Sequence, residues 1–267
     1  MLTSLVASLS TSYVAWYLQQ HELAAVYPFD ATYATPADAG APKLVETAFD
    51  TKDGARLIVW RAAASAGRPT IVYFPGNSGA LKDRADRFQR FVDAGFGLVA
   101  PAYRGSSGST GTPEELLLVA DAVAIAQDVA GTSVLFGESL GAAVAIRLAA
   151  DGIGDAVVLE APFTSLVDLV AAQFPMEDLG DSLTQRWDSL ASVGSVDQPL
   201  LVIHGEADQV VPFAMGQSIF DAAGSPDKLF VSVQGHGHSA LWTSLVEGEL
   251  FGFLGRDFRD CARNYAV

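Results

Sequence analysis

The sequence predicts an α/β protein built on a doubly wound, mostly parallel sheet. Three observations point there. Short apolar runs recur at Thr70 to Phe74, Phe96 to Ala100, Ala156 to Glu160 and Leu200 to His204, and helical patterns separate most of them. Strands joined in this way are parallel, because a parallel connection needs a long crossover. Another apolar run, from Ser133, stops at Gly137-Glu138-Ser139-Leu140-Gly141, and an alanine-rich helical pattern follows at once. Finally, 267 residues with 50% hydrophobic side chains suit one large domain with an ample core.

From the N-terminus, Met1 to Leu18 is mostly apolar and carries no charge. Its length approaches that of a membrane-spanning helix, although six Ser or Thr residues weaken it. No Lys or Arg precedes it and no small-x-small cleavage site follows, so it does not read as a secretory signal. It reads as an N-terminal anchor (1–18), giving a membrane-associated protein, or as a helix lying on the domain of a cytoplasmic one. Residues 19–43 follow as a connector, with Pro28 to Pro42 rich in Ala, Pro and Asp. Val45 to Phe49 and Ala55 to Arg61 then flank Thr51-Lys52-Asp53-Gly54, a hairpin signal. Helical patterns run from Ala80 to Asp93 and from Pro113 to about Val129. The chain ends with a helix at Phe213 to Ala222, a strand at Leu229 to Val233 and a last helix from about Ser239.

Composition excludes several function classes. A formal charge of -15 with no basic stripe argues against nucleic acid as a partner. The single cysteine, Cys261, rules out an internal disulfide. His21, His204, His236 and His238 stand in no zinc-ligand spacing, so neither a metal nor a cofactor is expected.

The Gly-x-Ser-x-Gly turn has a physical logic. A sharp strand-to-helix turn pushes its central side chain into the open, and glycines at 137 and 141 avoid clashes with the neighbouring strand and helix. Ser139 is therefore the candidate nucleophile, placed at a helix N-terminus that favours developing negative charge. In such sheets chemistry lies at the carboxyl ends of the strands. The strand ending at His204 runs into Gly205-Glu206-Ala207-Asp208, and the one ending at Val233 runs into Gln234-Gly235-His236-Gly237-His238. These supply an acid, Asp208 with Glu206 as the fallback, and then a base, His238 or His236.

With these pieces in place the sequence resembles the α/β-hydrolase superfamily. Within it the chain is similar to short-lidded, often N-terminally anchored serine hydrolases, which include protein depalmitoylases and monoacylglycerol hydrolases. The stretches that carry the resemblance include Tyr-Phe-Pro-Gly-Asn-Ser-Gly at 73–79, Tyr-Arg-Gly-Ser-Ser-Gly-Ser at 103–109 and Gly-Glu-Ser-Leu-Gly at 137–141. Leu-Glu-Ala-Pro-Phe-Thr-Ser at 159–165, Trp-Asp-Ser-Leu at 187–190, Pro-Leu-Leu-Val-Ile-His-Gly-Glu-Ala-Asp at 199–208 and Gly-His-Ser at 237–239 match as well. The resemblance implies a catalytic domain at 44–267 with a triad of Ser139, Asp208 and His238. The family's Gly-His before the last helix selects His238 over His236. It also implies an oxyanion site made by the backbone amides of Asn77 and Leu140. The family usually has histidine where this chain has Pro75, a change that stiffens the approach to the loop and leaves the backbone donor in place.

The duller readings go to the remaining groups. His204 is expected to be a structural hydrogen-bonder, Arg104 to form an ion pair shaping its glycine-rich loop, and Glu138 to pack beneath the nucleophile without chemistry. Fewer than forty residues, about 164–198 and including a helix-like stretch from Leu183 to Leu190, leave room only for a small lid. The expectation is hydrolysis of a small-molecule or acyl ester or thioester, with amide hydrolysis or a non-catalytic binding module as the rivals.

Overall fold

The chain is described by a computed structural model covering residues 16, 20–175 and 179–258. The anchor expected at 1–18 lies outside the described residues except for Trp16. Eight strands form one sheet: β1 (Val45–Asp50), β2 (Arg56–Ala62), β3 (Thr70–Phe74), β4 (Gly97–Pro101), β5 (Ser133–Glu138), β6 (Ala156–Glu160), β7 (Leu200–Gly205) and β8 (Lys228–Val233). Their order is β1-β2-β4-β3-β5-β6-β7-β8. The β1–β2 and β2–β4 pairs are antiparallel, and every pair from β4 to β8 is parallel. The predicted doubly wound α/β sheet is the observed one.

The central strands are apolar along their whole length because helices cover both faces. Alternation along β3 shows the two cores. Val72 and Phe74 point to the side of α3 (Glu115–Gln127), α4 (Leu140–Ala150), α6 (Ser189–Val193) and α7 (Phe213–Ala222). Ile71 and Tyr73 point to the side of α2 (Ala85–Asp93) and α8 (Ser244–Leu254). Each buried Leu or Phe in these layers contributes about 1.5–3 kcal/mol. Residues 20–26 are helical (α1), and α5 (Leu166–Gln173) belongs to the lid between β6 and β7. The stretch read as a connector packs on the domain: Val26, Tyr27 and Ala41 are buried, and Phe29 bridges to Gly79.

Two helix boundaries differ from expectation. The last helix starts at Ser244 rather than near Ser239. Thr243 caps it by accepting from the Val246 amide (3.3 Å), and Ala240 adopts a φ of 60° that an α-helix does not allow. The stretch Leu183 to Leu190 is α-helical only from Ser189. Carboxylates from elsewhere capture its amides first. Glu22 accepts from Thr184 N and Gln185 N (2.7 Å each), and Glu115 accepts from Arg186 N (2.6 Å) and Trp187 N (3.0 Å).

The glycines around Ser139 let α4 lie against β3 and β5. A Cβ on Gly141 would stand 1.9 Å from Phe74 O, and one on Gly137 would stand 2.3 Å from Gly141 O. Gly141→Ala is expected to cost at least about 3 kcal/mol in urea unfolding. Gly152→Ala is expected to cost only about 1–2 kcal/mol, from its φ of 75°, because a Cβ there meets nothing within 4 Å. Equal losses would mean that the contact between α4 and β3 relaxes freely.

Candidate active site

Ser139 closes β5 and caps α4 with φ 53° and ψ -111°. Such a conformation costs a non-glycine residue about 1–3 kcal/mol and persists only where neighbours hold it. Here the Ser139 amide donates to Glu160 O (2.8 Å), and Ser139 O accepts from the Ala142 amide (2.9 Å). The strained turn lifts the hydroxyl toward the loop after β8. Ser139 Oγ lies 3.1 Å from His238 Nε2, and His238 Nδ1 lies 2.8 Å from Asp208 Oδ2. Nδ1–H therefore donates to the carboxylate, leaving Nε2 to accept from the serine hydroxyl. The three residues named from sequence form one hydrogen-bonded chain.

Asp208 is buried and held on both oxygens. Oδ1 accepts from the amides of Val210 and Val211 (2.8 Å each). Oδ2 accepts from His238 and faces His204 Nε2 at 3.3 Å. Burial opposes its charge, but hydrogen bonds from His204, His238 and Val211 outweigh burial and hold its carboxyl well below the usual range. Glu206, the fallback acid, is exposed. His236 takes no part in this chain, its Nδ1 meeting Gln234 O at 3.0 Å. His204 is fully buried and donates to Val211 O (3.0 Å), a structural role that also steadies the Asp208 loop.

Arg104 is a structural ion pair, as expected. It bridges Asp121 (2.7 Å) and Asp53 (2.6 Å), joining α3 to the β1–β2 turn. Glu138 does more than pack. Its carboxylate takes the Arg84 guanidinium at 2.9 Å and the Tyr73 hydroxyl at 2.7 Å. Burial would raise its pKa, but the charges of Arg84 and Arg87 and the hydrogen bonds from Arg84 and Tyr73 bring it down to about 2.

Ser139, Leu140 and Asn77 open on one cavity of about 260 Å³. Its wall is apolar and includes Val26, Phe163, Leu169, Val170 and Leu183. Asn77 uses its side-chain amide to hold α1, donating to Val26 O (2.9 Å). The Leu140 amide belongs to the first turn of α4, where amides lack helical partners. The contribution of α1 to the cavity was hidden in a stretch whose composition reads as a connector. Among the described residues, no group of three or more His, Cys, Asp or Glu could hold a metal ion, and no helix is long and apolar enough to cross a membrane.

Residues 71–195 match the model of the alpha/beta hydrolase family. The uncharacterized protein Rv2307c of Mycobacterium tuberculosis is 32% identical over 243 residues, spanning 88% of this chain and 86% of that protein. Lysophosphatidylserine lipase ABHD12 of Rattus norvegicus is 28% identical over 63% of this chain and 48% of its own length. The esterase Pf2001 of Pyrococcus furiosus superposes with a TM-score of 0.69 at 18% identity, over 85% of this chain and 95% of that one, a likeness of fold.

Asp208 and Glu138 bind protons less readily in the folded chain than in the unfolded one, where such groups titrate near about 3.9 and 4.3. Their stabilisation is complete above about pH 5 and is lost as pH falls through about 4 toward the folded values. The urea midpoint is therefore expected to drop between about pH 5 and pH 3. It should drop less steeply in Glu138→Gln, which has no proton to gain. Identical slopes would unlink Glu138 from the acid transition.

Proposed function

The chain belongs to the alpha/beta hydrolase family, and from that premise we propose that it is a serine hydrolase cleaving a carboxylic ester or thioester. The observation that carries this reading is the Ser139–His238–Asp208 hydrogen-bonded chain opening on an apolar cavity. Ser139 Oγ attacks the acyl carbonyl while its proton passes to His238 Nε2. The carbonyl oxygen becomes an anion received by the amides of Leu140 and Asn77, each worth about 3–4 kcal/mol to the transition state. The intermediate collapses as His238 gives its proton to the leaving alcohol or thiol. Water, deprotonated by the same imidazole, then releases the acid and restores Ser139. Asp208 keeps the imidazole in the required tautomer and stabilises it when charged.

The cavity takes the acyl group. A methylene is roughly the size of a water molecule, about 30 Å³ in the liquid, so the wall encloses on the order of eight carbons. An apolar acyl group also suits the lipid substrate in the name of the relative ABHD12. The anchor proposed at 1–18 precedes α1, whose Val26 lines the cavity, and an anchored chain would keep the site close to a lipid surface. Vesicle flotation of the full chain, lost on deleting 1–18, is the expected result.

The full chain is expected to hydrolyse p-nitrophenyl esters with an optimum near octanoate. Ser139→Ala and Asp208→Asn should lower kcat by about 10⁴-fold or more, and His236→Ala should leave it within about twofold. Esters left intact, together with Ser139 unlabelled by a fluorophosphonate, would sink the hydrolase reading in favour of a binding module.

A further inference from the structure

Beneath the nucleophile lies a group of charges that the proposed reaction does not consume. Glu138 directly precedes Ser139, and one guanidinium forks its carboxylate. Arg84 Nε donates to Oε2 (3.0 Å) and Nη2 donates to Oε1 (2.9 Å). The third nitrogen, Nη1, turns to the loop after β3 and donates to Ser78 O (2.7 Å) and Ala80 O (3.3 Å). Only about a tenth of the Arg84 side chain is exposed (10%). A second arginine extends the group. Arg87 Nη2 donates to Glu160 Oε1 (3.1 Å), and its guanidinium lies 4.3 Å from the Trp242 ring, whose Nε1–H donates to Glu160 Oε2 (2.9 Å). Glu160 is the residue whose carbonyl holds the Ser139 amide.

Stability alone is a weak account of this arrangement, because buried ion pairs are often no better than apolar packing. Position is a stronger one. The two oxyanion donors are fixed by different means. The Leu140 amide is carried by α4 and moves only with that helix. Asn77 lies in a loop between β3 and α2 that turns at Gly79 with a φ of 74°. An oxyanion donor must be placed to within about 0.5 Å, and a misplacement of about 1 Å can cost on the order of 100-fold in rate. The loop needs a reference fixed to the nucleophile, and Arg84 provides one. Two of its nitrogens grip the residue next to Ser139, and the third grips the carbonyl next to Asn77.

We infer that Arg84 and Glu138 are a positioning pair that sets the spacing between the Asn77 amide and Ser139. Neither touches a reacting atom. The assignment rests on the proposed function for its catalytic consequence, but the spacing itself is a structural quantity. Lysine at 84 would keep the charge and lose the planar fork that serves the carboxylate and the carbonyls together. Glutamine at 138 keeps the shape and loses the charge.

The test compares Arg84→Lys, Glu138→Gln and the double variant with the parent full chain. Sites are counted by reaction to completion with a fluorophosphonate, and kcat and KM for p-nitrophenyl octanoate are expressed per counted site. Each single variant is expected to lose roughly 10- to 100-fold in kcat with KM within about threefold. The double variant should be no worse than the worse single, because the pair acts as a unit. A crystal structure of Arg84→Lys should show Asn77 shifted away from Ser139. A kcat per site within twofold of the parent, with only Tm lowered, would make the pair a stability element and overturn the inference. An unchanged spacing of Asn77 and Ser139 would overturn it whatever the rate. A parent that cleaves no ester sinks the hydrolase reading, and the crystallographic comparison then decides this inference by itself. If Arg84→Lys does not fold, Glu138→Gln carries both measurements.

Discussion

The close approach of α4 to β3 is the constraint on which the site depends. Without side chains at 137 and 141, the helix starts directly against the carboxyl end of the sheet, and Ser139 must take a left-handed φ to make the turn. That one contact lifts the hydroxyl toward His238, leaves the Leu140 amide at the start of α4 without a helical acceptor beside the cavity and brings Glu160 O within reach of the serine amide. Moving the helix outward by an ångström would relax the backbone and dissolve all three relations together. Close-packed interiors do not yield in small steps, which makes the turn a rigid origin for the other groups.

Around that origin three loops are tied by charged side chains. Asp208 sits on a loop after β7, where its carboxylate accepts from two amides and faces two imidazoles. The loop after β3 is fastened by Arg84, and the lid segment 184–187 by Glu22 and Glu115. In the Asp208 loop and in the lid segment the group that gathers the amides is a carboxylate. A chain with a formal charge of -15 thus places part of its excess acid where it organises backbone amides, and not only in solvent.

The sheet, the Gly-x-Ser-x-Gly turn and the grouping of Ser139, Asp208 and His238 were legible because each has a local signature. Apolar runs mark strands buried on both faces, and glycine spacing marks the turn. Asp208 and His238 fall at strand ends, where a parallel sheet gathers its loops. What could not be read depends on distant partners. Leu183 to Leu190 has helical spacing, yet its amides go to Glu22 and Glu115, which lie far away in the chain. The start of the last helix was set by Thr243 and the backbone of Ala240 rather than by apolar periodicity. Glu138 gave no hint of its guanidinium partner, because Arg84 is 54 residues away.

The wall of the cavity has a further consequence. Ala25 and Val26 belong to it, and Glu22 of the same helix grips the lid segment, so the cavity is assembled from the two ends of a long sequence interval. On the proposed function, such an arrangement would make residues 20–26 a determinant of acyl-group specificity. Exchange of that segment would reshape the cavity wall without touching the Ser139–His238–Asp208 hydrogen-bonded chain beside it. Proteolytic loss of the segment would leave Ser139 in place beside a cavity open on one side.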